Sequence, residues 1–174
     1  MKEIATFAGG CFWCTEAVFS NLRGVQKAVP GYSGGQIENP TYEEVSSETS
    51  GHAEAIQIEF NPSEISYDDL LYVFWKTHDP TQLNRQGPDI GSQYRSAIFY
   101  HSPIQKEKAE KSLGEAQALD DKKIVTKIVP FKNFYPAEEY HREFYFKNRN
   151  TPYCRLVIDP KMQKLRQELG KFLK

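Results

Sequence analysis

The run IATFAGGCFWCTEAVFSNL, residues 4–22, changes character at its centre. Residues 4–8 form a short β-prone segment that ends at Gly9-Gly10. Residues 14–22 carry apolar side chains at the spacing of one helix face. Two glycines between such segments allow unusual backbone dihedrals and a close approach of neighbouring chain. The run therefore predicts a strand, a tight turn and a helix, with Cys11 at the start of the helix.

The rest of the chain mixes strand and helix signals without regular β-α-β alternation. Ser66 and Asp69, for example, have the spacing of a capping box that opens a helix. The mixture predicts an α+β fold, an α/β two-layer sandwich with a mixed, largely antiparallel central sheet, flanking helices and long loops. The other predicted elements are strands at 56–60, 96–100 and 125–129, helices at 103–119, at 136–147 and from Asp159-Pro160, a short apolar run at 155–158, and loops at 30–51 and 78–93.

Length and charge limit the organisation and the partners of the chain. Its 174 residues suit one domain. We expect a single catalytic domain over 1–174, whose C-terminal segment, about 148–174, carries Cys154 and the last helix. The 22 basic and 23 acidic residues nearly balance, which argues against nucleic acid or an anionic membrane as a partner. Without a membrane-length apolar stretch or a signal peptide, we expect a cytoplasmic protein, and a monomer.

Cys11 follows the two glycines at a predicted helix start, where backbone N–H groups and the helix dipole favour a thiolate. The same position also suits a small buried residue beside a tight turn. With Cys14 it forms a C-x-x-C pair, which is typical of thiol-disulfide oxidoreductases and of half a zinc site. Two alternatives therefore stay open: a general oxidoreductase that uses Cys11 and Cys14, and a zinc-binding interaction domain that also uses His52.

Two further motifs have weaker interpretations. His52-Ala53-Glu54 resembles the H-x-E of zinc deaminases, but the C-x-x-C precedes it instead of following it. Glu138-x-x-His141 matches half of a di-iron carboxylate site and occurs only once. A single match of this kind is more typical of a solvated helix face.

Five segments, in order, span nearly the whole chain: Gly9-Gly10-Cys11-Phe12-Trp13, Gly31-Tyr32-Ser33-Gly34-Gly35, Asn39-Pro40-Thr41-Tyr42, Gly51-His52-Ala53-Glu54-Ala55 and Asp89-Ile90-Gly91-Ser92-Gln93-Tyr94-Arg95-Ser96. Together they resemble the A class of peptide methionine sulfoxide reductases. The resemblance implies a compact α/β domain that reduces the S epimer of methionine sulfoxide, free or in proteins. It implies neither a metal nor an organic cofactor.

The resemblance also implies roles for individual residues. Cys11 would attack the sulfoxide sulfur, and Glu54 would protonate the oxygen, which leaves poorly until it is protonated. Glu54 can donate a proton only if burial raises its pKa. The remaining implied roles are hydrogen bonds to the oxygen from Tyr42 and Tyr94, an apolar wall for the substrate methyl group from Phe12 and Trp13, and organisation of the polar side of the pocket by Asp89.

After the attack, the resemblance implies a Cys11 sulfenic acid that condenses with a second thiol and is recycled by thioredoxin. We favour Cys154 as the resolving cysteine, with Cys14 as the alternative. Cys154 precedes Arg155-Leu156-Val157-Ile158, whereas many family members have a glycine-rich tail there. Phe144 also stands where many members have a pocket tyrosine, and Tyr145 is adjacent.

Overall fold

The computed structural model describes all residues from 1 to 174, and a six-stranded sheet forms its centre. The strands are β1 (Glu3–Gly9), β2 (Val25–Ser33), β3 (Ala53–Phe60), β4 (Arg85–Gln86), β5 (Asp89–Ile90), β6 (Ser96–Tyr100), β7 (Lys127–Pro130) and β8 (Tyr135–Pro136). The sheet order is β7-β6-β1-β3-β2-β8, and β4 pairs with β5 in a separate hairpin. All pairs are antiparallel except β6 with β7. The predicted α+β fold with a mixed, largely antiparallel sheet is confirmed.

Helices and an apolar core cover one face of this sheet. The main core cluster joins Phe7 and Ile58 of the sheet to Phe19, Leu71 and Leu165 of the helices. A smaller cluster of alanines with Phe99 lies apart from it. The helices are α1 (Phe12–Ser20), α2 (Tyr42–Ser46), α3 (Tyr67–Thr77), α4 (Pro103–Ala118), α5 (Phe144–Lys147) and α6 (Asp159–Glu168).

Two helix starts follow the chemistry predicted from the sequence. Ser66 Oγ accepts a hydrogen bond from the Asp69 backbone N–H at 3.0 Å, and Asp69 Oδ2 accepts one from the Ser66 N–H at 3.1 Å. This reciprocal capping box begins α3. At the start of α4, Ser102 Oγ accepts the Gln105 backbone N–H at 3.2 Å, and Pro103 occupies the first turn. None of the helices combines the length and the apolar character that crossing a membrane requires.

Four segments differ from the predicted elements. The loop predicted at 78–93 contains the β4–β5 hairpin. The loop predicted at 30–51 begins inside β2, because residues up to Ser33 pair with β3, and it contains the capped helix α2. The helix predicted at 136–147 is broken into a short strand, a 3₁₀ turn and α5. The break falls at Glu143, which has a left-handed backbone conformation that a helix interior does not accept. The apolar run at 155–158 is a π-helical turn that leads into α6.

The turn between β1 and α1 requires glycine at position 10. Gly10 has φ +93°, and a Cβ there would lie 2.7 Å from side-chain atoms of Gln86. We expect Gly10→Ala to lower the free energy of unfolding in urea by about 1–3 kcal/mol, the usual cost of such strain. Gly114→Ala in α4 is the control, because its Cβ would meet nothing within 4 Å. It should leave stability unchanged or raise it. Equal stability of Gly10→Ala and the parent protein would contradict this account.

Candidate active site

The site forms where the central strand β1 meets α1. β1 is hydrogen-bonded on both sides, to β3 and β6, so its C-terminal end is held firmly. Cys11 follows it as the residue that caps α1, with non-helical dihedrals of φ −59° and ψ 129°. Its carbonyl oxygen accepts the N–H of Cys14 at 3.0 Å. Cys11 therefore lies between the end of a hydrogen-bonded strand and the first turn of the helix, not within the helix.

Glu54, near the start of β3, lies beside this helix start. It is 2% exposed, and its Oε1 accepts the backbone N–H of Phe12 at 3.1 Å. Burial raises the pKa of Glu54 to about 8. The Phe12 hydrogen bond lowers this pKa by a smaller amount, and the charges of Asp89 and Cys14 raise it. At neutral pH the carboxyl is therefore largely protonated, and it can donate a proton inside the site.

The thiol electrostatics differ from the sequence prediction. Burial is the largest effect on Cys11 and raises its pKa, as do the adjacent Cys14 thiol and Glu54. The hydrogen bond from the Trp13 backbone lowers it by less. Cys14 has the opposite shift: the interaction with the Cys11 thiol lowers its pKa to about 7, with further lowering by Lys161 and Tyr153. Burial therefore opposes the stabilisation of a Cys11 thiolate that the helix start favours, because desolvation outweighs the Trp13 N–H.

The indole of Trp13 is held on several sides. Phe144 stacks on it, with ring centroids 3.6 Å apart and planes 6° from parallel. The indole Nε1–H donates to His141 Nδ1 at 3.1 Å, and the Tyr153 ring contacts it edge-on at 5.6 Å. Phe144 therefore gives the indole an apolar contact. The hydroxyl of the adjacent Tyr145 donates to Asp159 instead. The solvated-helix interpretation of Glu138-x-x-His141 is also wrong, because His141 is buried against Trp13.

Glu138 fixes the start of α2, which carries Tyr42. Its Oε2 accepts the Tyr42 backbone N–H at 2.9 Å, and its Oε1 accepts the Tyr32 hydroxyl at 2.8 Å. The Tyr42 ring lies 5.0 Å from the His141 ring, centroid to centroid. Sequence reasoning missed this role of Glu138, since no local pattern connects it to a residue 96 positions earlier.

Tyr94 lies in the same electrostatic environment. Burial raises its pKa, and the charges of Glu54, Tyr42 and Cys11 raise it further. Tyr94 is therefore within electrostatic range of Glu54, Tyr42 and Cys11, the other residues predicted to act on the sulfoxide. Because the phenol stays protonated at physiological pH, Tyr94 is a neutral hydrogen-bond donor.

Asp89, at the tip of the β4–β5 hairpin, is engaged by a residue that the sequence did not single out. The Tyr153 hydroxyl donates to Asp89 Oδ2 at 2.6 Å and lies 3.7 Å from Cys14 Sγ. The only signal in the sequence is that Tyr153 directly precedes Cys154. Cys154 itself is 0% exposed and begins the π-helical turn.

His52 does not approach the C-x-x-C pair as a ligand would. Its Nδ1 accepts the Gly35 backbone N–H at 3.0 Å, and its Nε2 donates to the Ile37 carbonyl oxygen at 2.7 Å. Both ring nitrogens therefore brace the loop after β2. No group of three or more His, Cys, Asp and Glu side chains is arranged to hold a metal ion.

Comparison with known proteins identifies the family that this site resembles. The family model described as peptide methionine sulfoxide reductase matches residues 3–172. The peptide methionine sulfoxide reductase MsrA of Sulfolobus acidocaldarius is 57% identical over 162 residues, which cover 93% of this chain and 92% of that protein.

Solved structures have the same fold. Reduced Mxr1 from Saccharomyces cerevisiae superposes with a TM-score of 0.82 at 35% identity, over 88% of this chain and 89% of that one. Mxr1 in complex with Trx2 superposes with a TM-score of 0.58 at 29% identity, over 82% of this chain and 84% of that one.

The raised pKa of Glu54 predicts a pH-dependent stability. The folded protein keeps this proton up to about pH 8, whereas the ordinary carboxyl value is 4.5. This proton therefore contributes its whole stabilisation of the fold at pH values below the ordinary carboxyl pKa. The contribution is lost as the pH rises through the pKa of Glu54 in the folded protein. We expect Glu54→Gln, which keeps the shape without the titration, to be more stable than the parent protein, and by a wider margin at about pH 8 than at about pH 5.

Urea denaturation across this pH range measures the difference. Glu115→Gln, at an exposed position on α4, is the matched control and should follow the parent protein at every pH. A constant difference between Glu54→Gln and the parent protein would contradict a buried, protonated Glu54.

Proposed function

The chain belongs to the peptide methionine sulfoxide reductase family, and on that premise we propose that it reduces the S epimer of methionine sulfoxide by attack of Cys11 on sulfur. It is an oxidoreductase that converts methionine sulfoxide to methionine. The observation that carries the proposal is the buried Glu54 carboxyl, which is bound to the first amide of the helix that Cys11 caps. This contact brings a nucleophile and a proton donor together in a site largely closed to water.

The surrounding residues suit the parts of a sulfoxide. The hydroxyls of Tyr42 and Tyr94 would donate to the oxygen and polarise the S=O bond. Phe12 and the face of Trp13 would hold the methyl group, since aromatic rings attract both methyl groups and sulfur. Asp89 would organise the polar side of the pocket. Tyr32 and Glu138 support Tyr42 from behind, because both belong to the hydrogen-bond chain at the start of α2.

The first step oxidises one thiol by two electrons and reduces one sulfoxide by two. As Cys11 sulfur attacks the sulfoxide sulfur, Glu54 delivers its proton to the oxygen. The Cys11 thiol gives up its own proton, which the neighbouring Cys14 can accept because its pKa is about 7. The protonated oxygen then moves from the substrate sulfur to the Cys11 sulfur, while the S–S bond that the attack formed breaks and releases methionine. In balance, the Cys11 thiol and the sulfoxide become the Cys11 sulfenic acid and methionine.

The second step condenses the sulfenic acid with a thiol, which forms a disulfide and releases water. The sequence favoured Cys154 for this step and gave Cys14 as the alternative. The contacts support Cys14, because its thiol interacts with Cys11 and has a lowered pKa. Cys11 lies outside the helix as its capping residue, so the pair can close without unwinding an inner turn. Cys154 is fully buried in the π-helical turn that leads into α6.

We propose thioredoxin as the reductant that restores the two thiols by disulfide exchange. The complex of Mxr1 with Trx2 supports this assignment, since Mxr1 shares the fold of this chain. Free methionine sulfoxide and oxidised proteins would be the substrates. A dithiol such as dithiothreitol should replace thioredoxin in the assay.

Reduction of the two epimers tests the reaction. We expect the protein with dithiothreitol to reduce the S epimer at a rate at least 100-fold above that of the R epimer, because only one epimer presents oxygen to Glu54 and methyl to Trp13 together. Cys11→Ser should abolish the reaction, and Cys154→Ser should leave single-turnover release of methionine unchanged. A protein that reduced a model disulfide but neither epimer would instead be a general thiol-disulfide oxidoreductase.

Thiol counting after one turnover tests the resolving step. With excess sulfoxide and no reductant, we expect the parent protein and Cys154→Ser to lose two thiols and form the Cys11–Cys14 disulfide. Cys14→Ser should instead accumulate a sulfenic acid that a dimedone probe labels at Cys11. Peptide mapping of the disulfide measures the outcome. A Cys11–Cys154 disulfide in the parent protein, and normal recycling by Cys14→Ser, would assign the role to Cys154 instead.

A further inference from the structure

Glu16 is a buried carboxyl group that the reaction above does not use. It lies on α1, one helical turn beyond Cys11 and Phe12, and is 4% exposed. Both of its carboxyl oxygens accept the backbone N–H of Glu143, at 2.8 and 3.0 Å. Burying a carboxyl group is costly unless its hydrogen bonds repay the lost hydration. The burial of Glu16 beside the site therefore indicates that its contact with Glu143 has a structural purpose.

The partner of Glu16 is a strained turn. Glu143 has φ +53° and ψ 31°, a left-handed conformation that residues other than glycine rarely adopt. Such a conformation persists only where its surroundings hold it in place. The Glu16 carboxyl binds the N–H of this very residue, so it fixes the backbone where the chain would otherwise relax.

Two of the residues that hold Trp13 lie beside Glu143. His141 accepts the indole N–H at 3.1 Å, and Phe144 stacks on the ring at 3.6 Å. They lie two positions before Glu143 and one position after it. A small shift of the backbone at Glu143 would therefore move these two contacts of the indole together.

We propose that Glu16 is a positioning residue that sets the orientation of the Trp13 indole through the 141–144 turn, and so sets the size of the methyl pocket. The inference rests on the proposed function, in which Trp13 forms the wall against the substrate methyl group. Burial raises the pKa of Glu16 to about 7, against the opposing hydrogen bond from Glu143. A carboxyl oxygen accepts a hydrogen bond in either protonation state, so the contact survives on both sides of this value.

Glu16→Ala removes the acceptor, and Glu16→Gln retains one acceptor oxygen of the same size. We expect Glu16→Ala to lower kcat/KM for methionine S-sulfoxide about tenfold, since misplacement of a pocket wall by a fraction of an ångström costs that much. The preference for the methyl sulfoxide over its S-ethyl analogue should fall about fivefold, because a loosened wall discriminates less against one methylene. Glu16→Gln should keep both values within about twofold of the parent protein.

Fluorescence gives a readout that does not depend on activity. The chain has two tryptophans, so Trp75→Phe leaves Trp13 as the single emitter. In this background Glu16→Ala should increase quenching of Trp13 by acrylamide, and Glu16→Gln should not. Asn21→Ala is the matched control: it removes a 2.6 Å hydrogen bond to Ala17 at the other end of α1 and should change neither the quenching nor the methyl preference.

The outcomes separate this inference from the proposed function. If the parent protein is active, and Glu16→Ala leaves both the methyl preference and the quenching at parental values, the inference is overturned and the proposed function stands. If the parent protein reduces neither epimer, the proposed function fails, and the quenching comparison still decides whether Glu16 positions the indole. A change of equal size in Asn21→Ala would reduce Glu16 to a general contributor to helix stability and overturn the inference.

Discussion

The hydrogen bond from the Phe12 backbone N–H to Glu54 is the contact on which the site depends. At 3.1 Å it ties the first turn of α1 to the start of β3. β3 itself pairs with β1, whose end leads into Cys11. One amide therefore fixes the separation of a thiol and a carboxyl group that are 43 positions apart in the chain. The contact also compensates for part of the cost of burying Glu54, since a carboxyl group without a partner there would be far less favourable.

Burial rather than charge pairing gives the site its acid–base character. Desolvation raises the pKa of Glu54 to about 8 and also raises that of Cys11. The lowered value belongs to Cys14, at about 7, because the adjacent Cys11 thiol stabilises its thiolate. In the resting site, Glu54 is therefore protonated and Cys11 is a neutral thiol. The neighbouring Cys14 can accept the proton of Cys11. This division of roles suits a reaction in which an oxygen must be protonated while sulfur attacks.

Local chemistry explains which parts of the fold were predictable. The strand end before Gly9-Gly10, the capping box at Ser66 and the helix after Ser102 follow from residues close in sequence, and the structure has all three. The helix predicted at 136–147 failed because distant partners decide its backbone: Glu16 binds the N–H of Glu143, and Trp13 engages His141. Tyr153 and Glu138 were missed as site residues for the same reason. The protonation order of Cys11 and Cys14 depends on burial, which no local pattern specifies.

The most direct test of this account is a carbon-13 NMR titration of the Glu54 side-chain carboxyl in the reduced protein. Glutamate labelled at the carboxyl carbon gives the signal, and the spectrum of Glu54→Gln assigns it by its absence. We expect a midpoint of about 8, because burial raises the pKa of this carboxyl. A midpoint at the ordinary glutamate value of 4.5 would mean that Glu54 is ionised in the resting site. It would then have no proton to give to the sulfoxide oxygen, which would contradict the proposed reaction.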